Sequence, residues 1–391
     1  MAKGVIKIRT NKDSSLSYDV IVAYKDQTSG KWKHLWKTTD GSRKADKLKT
    51  KMLAEVEKND YQKPSKIMVE THLKEWLNGS VRSTVSPATY ELYKIIVEKH
   101  LIPNLGSVPL SKLRAANIQA LYADKLGEGL SPRTVQLLHV TLHKSLSNAV
   151  KTGLLSHNPM DAVDQPKVER RAMKTMDEKG IKYFLDETRK NQDGEYYALF
   201  FCLLFTGLRR NEALALRWTD IDLLGAQLSV NRTMQFIKNE ITFKPPKTKT
   251  SRRSIALTPV TCTVLRLHRE KQNKIRQKAG LESVTDNDLV FCQYNGKPYL
   301  PNSITHAWIK LTRRCGLDGI RLHDARHTHA SLLLKQGVHP KVVQERLGHA
   351  SIAITLDLYS HVAPGMQKAA AAGFDGAVIG DGSQTNSLES R

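Results

Sequence analysis

Residues 196–212 read YYALFFCLLFTGLRRNE: ten apolar residues, Tyr196 to Phe205, run directly into Thr206-Gly-Leu-Arg-Arg-Asn-Glu212. Ten residues is half of the ~20 that a bilayer-spanning helix needs, so the run predicts a helix buried in the core of a folded unit and excludes a membrane span. A strongly apolar helix that ends on an Arg-Arg pair needs an explanation, because arginine is seldom buried without a partner. Glu212 follows Arg209 by one helical turn and can orient it. Alone, the motif fits an exposed helix start with a structural ion pair equally well.

Downstream, Arg321-Leu-His-Asp-Ala-Arg-His-Thr-His329 is the densest polar cluster of the chain. His323 and Arg326, at i and i+3, project from one helix face and suit two non-bridging phosphate oxygens, with Arg supplying a bidentate fork. His323, His327 and His329 also resemble metal ligands, but no Glu stands where an H-E-x-x-H motif would put its general base. Leu347-Gly-His349 follows, and Tyr359 lies ten residues beyond His349. Upstream, Pro245-Pro-Lys-Thr-Lys-Thr-Ser-Arg-Arg-Ser254 is a basic turn between strand-like runs, with Lys247 at its tip. Each member has a plain structural reading: solvated or capping histidines, a core tyrosine, an exposed turn lysine.

The rest of the chain falls into segments. Its 391 residues carry 61 Lys and Arg against 38 Asp and Glu, a net charge of +23 with a pI near 9.8, and 40% are hydrophobic. That length suggests two or three domains with real cores, and that charge suggests a polyanion partner, most often nucleic acid. The start, MAKGVIKIRT, has no apolar block, so a secretory signal is not expected. Cys202, Cys262, Cys292 and Cys315 form no C-x-x-C pair and are expected to be reduced, mostly buried thiols. Residues 5–10, 17–24 and 31–39 have strand character, with a Ser29-Gly30 turn between the last two. Trp32, His34 and Trp36 alternate with their neighbours in the third, and a helix from Ser42 carries Ala45, Leu48, Met52 and Val56 on one face. Residues 60–65 read as a linker. From Ser65 to Pro166 the pattern predicts four helices, two of them starting at Ser86-Pro87 and Ser131-Pro132, an N-cap followed by Pro at the first helical position. Residues 163–176 read as a second linker, and residues 228–235, 240–244 and 252–257 as strands in the last segment. From Gly373 the composition turns to Gly, Asp, Ser and Asn, which suits a mobile tail.

The order Arg, then Lys on a hairpin, then His-x-x-Arg, Leu-Gly-His and Tyr resembles the tyrosine recombinase family, in particular phage and conjugative-transposon integrases. T-G-L-R-x-x-E, R-L-H-D-x-R-H-T and L-G-H all stand in this chain. The R-x-x-E spacing selects Arg209 over Arg210. The resemblance implies a multidomain protein: a small α+β sheet module over 1–60 that binds arm-type DNA, an all-α core-binding domain over 65–166, a mixed α+β, mainly helical catalytic domain over 175–372, and a flexible tail over 373–391. It implies DNA cleavage by Tyr359, a phosphate clamp of Arg209 and Arg326, hydrogen bonding or proton transfer by His323 and His349, and Lys247 as general acid, with no cofactor and no metal. The partners it implies are double-stranded DNA at core and arm attachment sites, three further copies of the chain in a tetramer on DNA, a DNA-bending host factor and an excisionase, and no membrane. The setting is the cytoplasm and nucleoid of a bacterial host.

Two rivals use the same residues differently. A non-catalytic DNA-binding regulator needs neither Tyr359 nor two clamping arginines. A metal-dependent nuclease would use His323, His327 and His329 around a divalent ion. A type IB topoisomerase shares the tyrosine chemistry, but the basic N-terminal module and separate helical segment favour site-specific integration.

Overall fold

The computed structural model describes residues 3–11, 13, 15–25, 32–57, 67–169, 173–190, 194–246, 251–362, 374 and 378. The chain divides into two compact units, residues 1–170 and 171–391. The expected Ser29-Gly30 turn, the 60–65 linker, Lys247 and nearly all of the tail fall outside the described residues.

The first unit begins with an antiparallel sheet of β1 (Lys3–Thr10), β2 (Leu16–Lys25) and β3 (Trp32–Thr39) in that order. Val5, Ile21 and Trp36 stand in one cross-strand column. The alternation read in the third strand holds: Leu35 is buried while Trp32 and Trp36 are about 60% exposed. Helix α1 (Ser42–Glu57) covers the other face, where Val20, Val22, Leu35, Ala45 and Met52 form a small core. One face of the sheet is therefore dry and the other presents tryptophan and lysine to solvent.

The helical part of this unit has four continuous runs. Val69–Trp76 (α2) passes through a wide turn at Leu77–Val81 into Arg82–Thr84 (α3), and Pro87–Ile96 (α4) passes through another at Val97–Leu101 into Ile102–Leu105 (α5). Ala115–Gly127 (α6) and Pro132–Lys151 (α7) complete the set. Both Ser-Pro starts behave as read: Ser86 Oγ accepts from Thr89 N–H at 3.4 Å, and Ser131 Oγ from Thr134 N–H at 3.2 Å. The apolar stripe of α7, Val135, Leu138, Leu142, Leu146 and Ala149, is fully buried. At ~1.5–3 kcal/mol for each large side chain, this stripe is a principal stabiliser of the bundle.

The second unit is mainly helical: α8 (Glu178–Lys190), α9 (Tyr197–Thr206), α10 (Arg210–Ala213), α11 (Pro259–Lys278), α12 (Pro301–Arg314), α13 (Asp324–Lys335), α14 (Pro340–Leu347) and α15 (Ile352–Val362). As the apolar run requires, α9 is buried almost all round, and Phe184 and Phe200 pack on Trp308 with ring centroids 4.6 and 5.1 Å away. The strand expected over 228–235 is instead two. Residues Gln227–Val230 (β5) lie between Ile221–Asp222 (β4) and Arg253–Ala256 (β8), while Thr233–Ile237 (β6) forms a hairpin with Glu240–Lys244 (β7). The break falls where Asn231 and Arg232 turn to the buried carboxylate of Asp220, at 3.0 and 2.5 Å. A buried charge needs those partners more than the ladder needs two residues. Lys238 and Asn239, both at positive φ, turn the β6–β7 hairpin. Cys202 and Cys262 are buried, Cys292 and Cys315 partly so, and all four are free thiols. Among the described residues no helix is long and apolar enough to cross a membrane.

Candidate DNA-cleavage site

The site is assembled where α9, α10, β8, α13 and α14 meet. The last turn of α9 ends at Gly207, whose φ of +66° is left-handed. A Cβ there would lie 2.5 Å from Leu347 Cδ2 and 2.8 Å from His329 Cδ2, so only glycine lets the TGLR turn sit against α13 and α14. Helix α14 ends the same way at Gly348, also at φ +66°.

Arg209 and Arg210 go different ways. Arg209 caps α10: its backbone N–H donates to Glu212 Oε2 at 3.0 Å, its Nη1 to Glu212 Oε1 at 2.7 Å, and its Nη2 to the carbonyl of Gly348 at 3.1 Å. Arg210 instead donates to Pro301 O and Thr305 Oγ1 at the start of α12. Arg326, almost fully buried on α13, donates from Nη1 to Gly207 O at 2.8 Å and from Nη2 to Leu347 O at 2.6 Å. Both arginines are thus seated on the end of α14, and Arg326 also on the end of α9.

Glu212, itself buried, serves a further cation. Arg253 on β8 donates to both of its oxygens, at 3.0 and 3.4 Å. Burial works to raise the Glu212 carboxyl, but the guanidinium groups of Arg253 and Arg209 outweigh it and hold it below the usual range. Arg326 is pushed down to about 9 by burial and then by Arg209 and Arg253, which leaves it charged at neutral pH.

The histidines are neutral here. Burial, then the neighbouring Arg326 and Arg209, lowers His349 to about 3, and its Nδ1 lies 2.9 Å from Thr355 Oγ1 of α15. His323 is lowered to about 4 by burial, then by His327 and Arg326, and its ring meets that of His327 edge-on at 4.9 Å. His329 has other work: its Nε2 accepts from Arg346 Nε at 3.0 Å, which assigns the ring proton to Nδ1. Arg346 also holds Ala256 O and Phe205 O. That takes His329 out of the three-histidine set considered for a metal, and no group of three His, Cys, Asp or Glu converges among the described residues.

Four of the six residues singled out, Arg209, His323, Arg326 and His349, come together. Tyr359 lies on α15, which begins three residues after His349, and its side chain is outside what the structure describes, as is Lys247. Arg253 and Arg346 were missed. The available signal for Arg253 was its place two residues before Ile255, which puts an arginine on the buried face of a strand.

A model of the phage integrase family matches residues 174–366, and one of the phage integrase N-terminal SAM-like domain matches residues 68–126. A tyrosine recombinase XerC-like protein of Caldanaerobacter subterraneus subsp. tengcongensis is 30% identical over 310 residues, 74% of this chain and 78% of the relative. The chain belongs to the phage integrase family. The ICEBs1 integrase of Bacillus subtilis (strain 168) is 28% identical over 322 residues, 82% of this chain and 86% of the relative. In fold, this tyrosine recombinase is similar to the Tn1549 transposon integrase in complex with a circular intermediate DNA, at TM-score 0.68 and 19% identity over 79% of this chain and 99% of that one. It is also similar to the lambda integrase tetramer bound to a Holliday junction, at TM-score 0.58 and 16% identity over 90% and 94%. The protein is a site-specific DNA recombinase that integrates a mobile element. The regulator and nuclease readings fall with that membership.

Proposed function

We propose that Tyr359 is the nucleophile of strand cleavage and that Arg209, Arg326, His323, His349 and Lys247 form its catalytic set. The observation that carries this reading is the seating of Arg209 and Arg326 on the two glycine-ended turns at 207 and 348, beside two neutral histidines and just ahead of the helix that bears Tyr359. Tyr359 Oη attacks the phosphorus of the scissile phosphodiester. A Tyr–O–P bond forms, the bond to the 5′-oxygen breaks, and the products are a 3′-phosphotyrosyl link and a free 5′-hydroxyl. A free tyrosine ionises near pH 10, so about one in a thousand is ionised at neutral pH, and its proton must be taken as the bond forms. Neutral His323 or His349 can accept it, which an imidazolium could not. The two guanidinium groups stabilise charge growing on the non-bridging oxygens, and Lys247 protonates the departing 5′-oxygen. The link keeps the energy of the broken bond, so rejoining to another 5′-hydroxyl requires no ATP and no cofactor.

Four strand cuts with one Tyr359 per subunit require four copies on two paired sites. The segment 361–372 would couple them, and residues 1–60, 65–166, 175–372 and 373–391 would act as arm-binding module, core-binding domain, catalytic domain and tail. The exposed Trp32, Trp36 and Val5 face of the N-terminal sheet supports a separate DNA contact. A DNA-bending host factor and an excisionase would set direction, including excision, on nucleoid DNA in the bacterial cytoplasm.

The test is a nicked suicide substrate carrying a core site, incubated in EDTA. The full chain should give an SDS-stable adduct whose DNA-linked peptide contains Tyr359. Tyr359→Phe should bind the same DNA and give no adduct. Strand cleavage by Tyr359→Phe would overturn the assignment.

A further inference from the structure

The three successive carbonyls that close α14 are each taken by a different arginine. Arg346 O accepts from Arg253 Nε at 2.7 Å, Leu347 O from Arg326 Nη2 at 2.6 Å, and Gly348 O from Arg209 Nη2 at 3.1 Å. These are the carbonyls that a helix leaves without internal partners, and they carry the negative end of its dipole. Two of the three donors belong to the proposed clamp. The third, Arg253, has a side chain only 6% exposed and also grips both oxygens of Glu212, the carboxylate that orients Arg209.

We propose that Arg253 is a positioning residue for strand cleavage: through Glu212 it sets the guanidinium of Arg209, and through Arg346 O it sets the turn that carries Gly348 and His349. The proposal rests on the clamp reading given above. Arg253 does not need to touch DNA to act. Without it, Glu212 keeps Arg209 as its remaining arginine and is free to swing toward it, while Arg346 O is left without that donor. Both changes move the Arg209 fork from its place, and a misplaced clamp weakens transition-state binding more than substrate binding. Lysine cannot replace Arg253, because one ammonium on a flexible stem does not span Glu212 and Arg346 O together as a planar fork does. The two arginines also differ in what they leave for substrate. Arg209 is 36% exposed and can offer a face to phosphate, whereas Arg253 spends its donors inside the protein.

The experiment measures single-turnover adduct formation on the suicide substrate at saturating DNA, with affinity and thermal unfolding measured in parallel, for Arg253→Lys, Glu212→Gln, the double variant and Arg209→Lys. Arg253→Lys should lose cleavage by roughly ten- to a hundredfold while affinity stays within about threefold, a rate-against-affinity split that loss of folded protein does not produce. Because Arg253 and Glu212 share an ion pair, the double variant should lose less than the two single losses combined. Cleavage by Arg253→Lys at the parental rate, or full additivity with Glu212→Gln, overturns the proposal. If Arg253→Lys does not fold, Glu212→Gln decides alone: parental cleavage by it overturns the proposal, and impaired cleavage at retained affinity supports it. Arg209→Lys separates the two levels. Should it cleave normally, the clamp reading itself fails; should it be inactive while Arg253→Lys cleaves normally, only the positioning role fails.

Discussion

Helix α7 is buried along one side and α13 almost all round, and they bury different chemistry. The inner face of α7 is Val135, Leu138, Leu142, Leu146 and Ala149, with Thr141 and Ser145 between. Thr141 settles its hydroxyl locally, on Leu137 O at 2.8 Å. The buried polar residues of α13 are Asp324, Arg326, Thr328, His329 and Ser331, among small or apolar residues. Three of them have partners distant in the chain: Gly207 O for Arg326, Arg346 for His329, and Met176 N–H, which donates to Thr328 Oγ1 at 3.1 Å. Packing on α7 is an area term that needs only apolar neighbours. Packing on α13 requires a specific donor or acceptor for each buried group, and a missing one costs about 1–3 kcal/mol. The first arrangement serves stability; the second, on the function proposed above, holds cations in place for a phosphate.

That contrast makes predictions of decreasing size. Arg326→Lys should lose cleavage by on the order of 10²–10³-fold in single-turnover adduct assays while DNA affinity stays within about tenfold, since charge survives and the fork across Gly207 O and Leu347 O does not. Near-parental cleavage would erase the distinction between the helices. Leu142→Ala should do the reverse. Its fully buried side chain leaves a cavity that costs about 2–5 kcal/mol, read as a lower denaturant midpoint, with the adduct rate per folded molecule at saturating DNA unchanged. A cleavage defect as deep as that of Arg326→Lys would show that the bundle takes part in the chemistry.

A smaller effect is expected from acid. His349 and His329 are lowered to about 3 and His323 to about 4, in each case first by burial, whereas an unfolded histidine titrates near 6.5. The unfolded chain therefore binds more protons below pH 6.5. The stability that these neutral rings contribute is complete above that value and is lost as pH falls through about 4 toward 3. Denaturation midpoints measured from pH 7 to pH 4 should fall, and a flat profile would mean that the rings are not held neutral. Least affected should be a chain without residues 1–60. Its cleavage of an isolated core site should match the full chain, while recombination that depends on distal arm sites is lost, because a linked module raises effective concentration without adding chemistry. Binding of arm fragments by the isolated module should weaken steeply with salt. No binding at low salt would assign that sheet to protein docking.

Legibility follows the same division. The Ser86 and Ser131 caps, the α7 stripe, the buried character of α9 and the alternation around Trp32 and Trp36 are all interactions within a few residues, and the pattern carried them. The single strand expected over 228–235 failed because Asp220, several residues upstream, draws Asn231 and Arg232 out of the ladder. Arg209 and its Glu212 partner were legible for the same local reason as the caps. Arg253 was not, since nothing within a turn of it announces Glu212.

By itself, the order of residues determined the basic charge, the sheet and helical segments, and the motif set Arg209, His323, Arg326, His349 and Tyr359 that marks the family. Tertiary structure alone decided how Arg209, Arg253 and Arg326 are held. Their acceptors include the carbonyls of residues 207, 346, 347 and 348, and a carbonyl is a group that every residue owns. Side-chain identity cannot point to it; only the approach of two helix ends, permitted by left-handed glycines at 207 and 348, brings it within reach of a guanidinium.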